Sequence, residues 1–201
     1  MPISARELLN SAGLILHETV RWGGPCTLTQ RGIYIVSTDA DPDARPKWSD
    51  DLPPLDDQRL SQLFADHPGV SVDDVAATIR SVTDRLWAYW LCDESVLYVG
   101  QTGRKVSERL KEFHRTPLGA PGPHSGGRWV NAMAGVGELS VHVASADGPF
   151  DKEQELLRQF SSQVSVASRE RVGRIEASPC LAPWANLQGG GRRKRHGIKG
   201  L

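Results

Sequence analysis

The sequence predicts an α/β (α+β) fold: a small sheet flanked by helices, with a helical insertion between its first two motif strands. Three observations predict it. Gly32-Ile33-Tyr34-Ile35-Val36-Ser37 and Val96-Leu97-Tyr98-Val99-Gly100-Gln101 are short β-branched and aromatic runs of strand character. Residues 105–114 place Val106, Leu110 and Phe113 on one helical face. Between the two strand runs lie two further helical stretches and a loop rich in proline and aspartate.

Taken in order, residues 4–12 read as a short helix, with Ser4 as cap and Glu7 three residues on. Residues 13–31 read as loop or short strand, and 32–37 as the first motif strand. Residues 38–57, with Pro42, Pro46, Pro53 and Pro54, form a surface loop. Residues 57–66 and 72–84 are expected as helices. Leu60, Leu63 and Phe64 share a face of the first, and Val75, Ile79 and Val82 a face of the second, with Ser71 as its cap. Leu86–Leu91, the polar tetrad Cys92-Asp93-Glu94-Ser95 and Val96–Val99 read as a β-hairpin. A helix over 105–114, a Pro/Gly-rich loop over 115–127 and a short helix from Trp129 to Val136 follow. Leu139–Ala144 alternates as a strand, and Pro149 opens a helix to residue 163. The resulting division is an N-terminal extension (1–31), a domain over 32–188 with its insertion at 38–84, and a flexible basic tail over 189–201.

Length and charge bound the function. A chain of 201 residues is one domain, large enough to bury a core. The formal net charge of zero argues against indiscriminate nucleic-acid binding. The charge is separated, however. Seven aspartates between Asp39 and Asp57 face only Arg45 and Lys47, whereas no acid follows Glu176 and the end carries Arg192, Arg193, Lys194, Arg195 and Lys199. A polyanion would favour the second region. Cys26, Cys92 and Cys180 form no Cys-x-x-Cys pair, which disfavours a zinc site and suits a reducing compartment. The opening residues lack a long apolar run and no stretch approaches membrane-spanning length, so the expectation is a cytoplasmic protein.

The chemistry-bearing residues occur as an ordered series. Gly32-Ile33-Tyr34 is followed by Tyr98-Val99-Gly100, then by Arg109 eleven residues after Tyr98, then His114, Glu153-Gln154-Glu155-Leu156-Leu157 and Pro183-Trp184-Ala185-Asn186. In this order the chain resembles the GIY-YIG endonuclease family, discontinuously from residue 32 to 188. The resemblance implies that family's nuclease fold, with a small, mainly antiparallel central sheet. It also implies Mg²⁺-dependent hydrolysis of DNA phosphodiesters, with Mn²⁺ as a possible substitute, giving a 5′-phosphate and a 3′-hydroxyl.

Such a reaction needs an activated water, charge neutralisation and help for the leaving oxygen. By resemblance, Tyr34 or Tyr98 activates the water, with Tyr34 slightly favoured; a phenol near pKa ~10 needs neighbouring cations to act as a base. The alternative for each is a core aromatic with a satisfied hydroxyl. Arg109 would grip the scissile phosphate through its planar fork, and its alternative is a surface arginine paired with Glu112 or Glu108. His114 would donate a proton or bond a phosphate. Glu153 would ligate the metal, since Mg²⁺ takes few carboxylates and keeps several waters; Glu155 points elsewhere. Asn186 would order water or backbone near the metal, or serve as a turn residue. The DNA-contacting set is expected from Gln101, Arg104, Lys105, His124 and the tail residues Arg192, Arg193, Lys194 and Arg195, with Trp87, Tyr89 and Trp90 as candidate stacking platforms.

Two departures stand out. Gln101 occupies a position where some repair members carry lysine, and the two motifs, usually close in sequence, are separated by the insertion. A compact nuclease core without a long C-terminal DNA-binding module resembles restriction or defence nucleases, which read duplex DNA as homodimers. A nuclease for damaged, branched or single-stranded DNA is the alternative within the class. A non-catalytic nucleic-acid-binding module is the alternative outside it.

Overall fold

Every residue of the strand Gly32–Ser37 is buried, which requires cover on both faces of the sheet. In the computed structural model this strand lies inside a four-stranded sheet. The structure describes residues 2–46, 52–120, 125–174, 181–189, 192–193 and 196–201. Its elements are α1 (Ala5–Ser11), β1 (Glu18–Arg21), β2 (Gly32–Ser37), α2 (Asp57–Asp66), β3 (Ser71–Val72), β4 (Val75–Ala76), α3 (Ile79–Ala88) and β5 (Val96–Thr102). They continue with α4 (Val106–Arg115), β6 (Ser140–Ser145), α5 (Pro149–Gln163), α6 (Val166–Gly173), β7 (Gln188–Gly189), β8 (Arg192–Arg193) and β9 (Ile198–Lys199). The main sheet runs β1-β6-β2-β5, and all its pairings are antiparallel. The fold is α+β. No helix among the described residues is long and apolar enough to cross a membrane.

Local chemistry sets the element ends. Ser4 and Glu7 close a reciprocal capping box on α1. Asp56 caps α2 by accepting from the Gln58 and Arg59 amides, both at 3.0 Å. Pro149 starts α5 behind Gly148, which takes a left-handed conformation. Helix α4 has no side-chain cap of its own. Its Val106 and Ser107 amides instead donate to the Gln30 and Leu28 carbonyls, both at 3.0 Å. The chain just before β2 therefore holds the first turn of α4.

The edge of β5 is covered by the segment after α6. The Ala185 amide donates to the Leu97 carbonyl at 2.9 Å. The Val99 amide donates to Asn186 Oδ1 at 2.8 Å, and Asn186 Nδ2 returns a bond to the Val99 carbonyl at 2.7 Å. Asn186 thus brackets the middle of the second motif strand, with its side chain acting as a stand-in for a neighbouring strand.

Several expectations are corrected. Residues 86–91 do not form a strand: Leu86, Trp87 and Ala88 complete α3, because Val82 and Leu86 extend a helical face that starts from a Thr78–Ser81 capping box. The expected helix over 72–84 begins later, and Ser71 is not its cap. Asp73 and Asp74 both adopt positive φ, 50° and 68°, and turn β3 back onto β4. The tetrad Cys92–Ser95 is buried rather than a hairpin turn. Ser168 of α6, a helix not foreseen, donates to Asp93 at 2.6 Å, and Arg171 donates to Cys92 Sγ at 3.0 Å. The proposed stacking aromatics are packed inward: Trp90 lies against Trp184 (5.3 Å) and Tyr89 against His196 (4.8 Å), while Trp87 donates to the Pro53 carbonyl. Instead of one short helix, 3-10 turns occupy Ser125–Ala132 and Val136–Glu138. Residues 196–201 are docked rather than a flexible tail. His196 is buried, β9 pairs with β3, and Lys199 bonds Asp74 at 2.7 Å.

Replacing Asn186 by alanine removes both partners of a buried backbone unit. The expected loss is about 2–4 kcal/mol, read as a lower midpoint in urea denaturation; an unchanged midpoint would show that the bracket carries no stability.

Candidate active site

The register of β2 and β5 builds the site. Tyr34 pairs with Gly100, and Val36 with Tyr98. Paired residues share a sheet face, so both tyrosines project to the same side as diagonal neighbours. Their ring centroids lie 6.0 Å apart with planes tilted at 45°. Gly100 makes this possible: a Cβ there would stand 2.5 Å from Tyr34 Cζ and 2.6 Å from Tyr98 Cε1. Gly32 is equally constrained, since a Cβ would collide with the Ala144 carbonyl of β6. The glycines of the two tripeptides thus answer to close approach, one by aromatic rings and one by backbone.

Helix α4 supplies the floor and a charge. Phe113 lies 5.5 Å from Tyr98 and 6.2 Å from Tyr34. Arg109 lies beside the buried stripe of Leu110 and Phe113, with 20% of its side chain exposed and Glu112 3.6 Å away. Gly127 closes another side, where a Cβ would meet Phe113 Cζ at 2.8 Å and Tyr98 Cζ at 3.0 Å.

Glu153 projects from α5, half-buried. Burial pushes its carboxyl up to about 7, and Arg109 pulls the other way. Burial also raises both phenols. For Tyr34 the nearby guanidinium of Arg109 is the main opposing influence. For Tyr98, the neighbouring Tyr34 and Glu153 add to the rise and Arg109 opposes it. One arginine, one carboxyl and two phenols from α4, α5, β2 and β5 therefore share an electrostatic environment. Of the four, Tyr34 is fully buried.

The other candidate residues are placed differently. His114 packs on Trp22 with centroids 4.6 Å apart, and its Nε2 accepts from the Gly23 amide at 3.3 Å. Burial lowers its pKa to about 4, so it is neutral at pH 7 and does not carry the proton an acid role requires. Gln101 pairs with Ile33 and so projects from the face opposite the tyrosines. Arg104 is held by both oxygens of Glu112 (2.9 and 2.7 Å) and Lys105 by Glu108 (3.0 Å). Asn186 serves the strand backbone rather than a metal-side water. Arg192 and Arg193 lie in β8 opposite Gly189 and Gln188. His124, Lys194 and Arg195 lie outside the described residues. Glu155 is paired with Lys152 at 3.0 Å.

Sequence reasoning missed Trp22, which stacks on Phe113 at 5.0 Å, and the Gly127-Arg128 step. Arg128 is half-buried, and burial lowers its pKa. No motif marked either residue. The Gly126-Gly127 pair beside an arginine and a tryptophan is the one signal in the sequence. The chain matches no protein-family model, no curated protein and no solved structure.

Gly100→Ala forces at least one tyrosine ring aside. A loss of about 1–3 kcal/mol is expected, with an altered near-ultraviolet dichroism; wild-type values for both would contradict the stacking over Gly100. The Glu153 carboxyl gives a signed pH dependence. Its folded pKa of about 7 exceeds the ordinary 4.5, so the folded state holds a proton that the unfolded chain has released. Stability from this group falls as pH rises from 4.5 to 7 and stays low above. Glu153→Gln should therefore match wild type near pH 4.5 and exceed it by about 1–3 kcal/mol at pH 8. Parallel pH curves from urea denaturation of the two proteins would contradict this.

Proposed function

We propose that this chain is a GIY-YIG-type, Mg²⁺-dependent DNA endonuclease that serves as a restriction-type or defence nuclease. The observation that carries the reading is the convergence of Tyr34, Tyr98, Arg109 and Glu153 from four separate elements. These residue types match the demands of phosphodiester hydrolysis and stand in the order the family motif requires.

The donor set suits a magnesium ion. Glu153 has no hydrogen-bond donor among the described residues and is raised to about 7 by burial, so a nearby dication would balance its charge. No group of three or more His, Cys, Asp or Glu side chains placed to hold a metal ion occurs among the described residues. A single carboxylate suffices for Mg²⁺, which retains most of its waters. When bound, the ion supplies positive charge for the departing oxygen and the phosphate.

The chain's own residues do the rest. Arg109 is accessible enough to meet a phosphate and offers it a planar fork in exchange for Glu112 at 3.6 Å. Tyr34, once ionised to its phenolate, would take the proton of the attacking water, because Arg109 is the cation that opposes the effect of burial at this phenol. As the water oxygen bonds to phosphorus, the P–O3′ bond breaks and the departing O3′ takes a proton from a solvent water. The products are a 5′-phosphate and a 3′-hydroxyl.

Purified protein with Mg²⁺ or Mn²⁺ is expected to cut plasmid DNA. Arg109→Ala and Glu153→Gln should each lower the rate about 10²–10³-fold, with circular dichroism unchanged. Full activity in both variants would overturn the site assignment. Discrete fragments support a restriction enzyme, whereas cutting confined to branched, damaged or single-stranded DNA moves the role to repair-type processing. Metal-independent DNA binding without any cleavage would make the chain a binding module instead.

A further inference from the structure

The insertion forms a second recess beside the site. Helix α2 stands against the C-terminal end of α4 and the loop after it, and between them lies a cleft of about 310 Å³, near the lower end of small-molecule sites. Leu63 and Leu118 provide apolar wall. Around it stand two arginines, two amides, a carboxylate and an imidazole: Arg59, Arg115, Gln62, Asn131, Asp66 and His114. Amides and guanidinium on an apolar wall are the groups that read the edge and face of a nucleobase.

These groups are held in fixed orientations. Arg59 donates to the Asn131 carbonyl at 2.9 Å and pairs with Asp56 at 3.1 Å. Asn131 is buried, and its Nδ2 donates to the Thr116 carbonyl at 3.2 Å, so its Oδ1 is the acceptor. Gln62 Nε2 donates to Asp66 at 2.9 Å, which likewise leaves Oε1 as the acceptor. Two amide oxygens at one cleft suit a ligand that presents N–H donors.

The cleft is connected to the tyrosines by ring contacts. His114 lines it and meets Trp22 at a tilt, Trp22 meets Phe113 edge-on, and Phe113 packs against Tyr98 and Tyr34. Along α4, His114 follows Arg109 by five residues, about 7.5 Å of helix rise and about 140° round its axis, so a strand held at Arg109 reaches the cleft by passing round the end of the helix.

We infer that this cleft receives one unstacked nucleobase carrying an exocyclic amino group, from the strand whose phosphate Arg109 holds. The choice of ligand rests on the nuclease reading. A base leaves its stack most easily where it is unpaired or mismatched, so occupancy of the cleft selects where the strand is cut.

The test begins without metal and without cleavage. Titrating the ¹⁵N-labelled protein with deoxyadenosine or deoxycytidine should shift the amide signals of Gln62, Leu63 and Asn131. Leu118→Trp, which fills the cleft, and Gln62→Ala, on its exposed rim, should each weaken that binding ten-fold or more. In a mapped DNA digest the same variants should cut at altered positions. Silence of those amides toward both nucleosides, or undiminished nucleoside binding in Gln62→Ala, overturns the inference even if Leu118→Trp does not fold. Shifts at the cleft in a protein that cuts no DNA keep the nucleobase site and remove the nuclease reading. Normal cutting beside a silent cleft does the reverse.

Discussion

The site depends on one steric constraint: at Gly100 there is no room for a side chain. Both tyrosine rings occupy the space a Cβ would take, and Phe113 and Gly127 confine them from other sides. This arrangement requires Tyr34 to pair with Gly100 and not with a neighbour. A register slip of one residue would send Tyr34 to the other face. Two features resist that slip. Gly32 admits the Ala144 carbonyl on one side of β2, and Asn186 grips Val99 on the far side of β5. Residues away from the phenols, Gly32 and Asn186, thus determine where the phenols stand.

Arg109 has the same central place in the electrostatics. Burial raises Tyr34, Tyr98 and Glu153 alike, and the guanidinium of Arg109 is the cation that opposes the rise in all three. An arginine is suited to this because it keeps its charge when partly desolvated. The coupling also runs in the other direction. A phosphate drawn to Arg109 would neutralise it and push the three acids further up, unless a second cation arrives with it. The half-buried carboxyl of Glu153 is where such a cation would be balanced. Under the proposed function, substrate and metal would therefore favour one another's binding at this site, although a different residue would hold each.

Much of the frame was legible in the sequence, for identifiable reasons. The strands at 32–37 and 96–102, the helix at 57–66 and the helix from Pro149 to Gln163 carry strong local signals that tertiary packing did not override. The motif order also singled out the four residues that converge. What misled was period and context. Leu86-Trp87-Ala88-Tyr89-Trp90 looks like alternating aromatic strand, yet the Thr78 capping box starts a helix whose face runs through Leu86. Asp73 and Asp74 read as helix surface, whereas aspartate tolerates the left-handed conformation that a tight hairpin needs. Gln101 and His114 follow the motif series only loosely, one as a departure from the family's lysine and the other a residue out of step, and strand alternation turns one away while Trp22, some ninety residues upstream, covers the other. No local pattern reports such long-range contacts.

The charge separation along the chain has a structural resolution. Asp39 and Asp41 accept from the amides of Asp41 and Asp43 (2.9 and 3.0 Å), so the acidic loop is organised by its own carboxylates. Arg6 holds Asp43, Arg45 holds Glu7, Arg85 holds Asp73 and Lys199 holds Asp74. Exposed pairs of this kind contribute little stability individually. Their effect is positional, because they tie the basic end and the N-terminal helix to the inserted segment. Further bonds complete the attachment. The Asp56 amide donates to the Ala132 carbonyl, the Ala134 amide to Pro54, and Trp184 Nε1 to the Leu86 carbonyl at the end of α3. An insertion fixed at α2, at the β3–β4 hairpin and at α3 is a wall and not a loose loop. Part of the positive charge near residue 199 is already matched by that wall. With Lys199 matched in this way, the cation beside the tyrosines that is offered to a phosphate under the proposed function is Arg109.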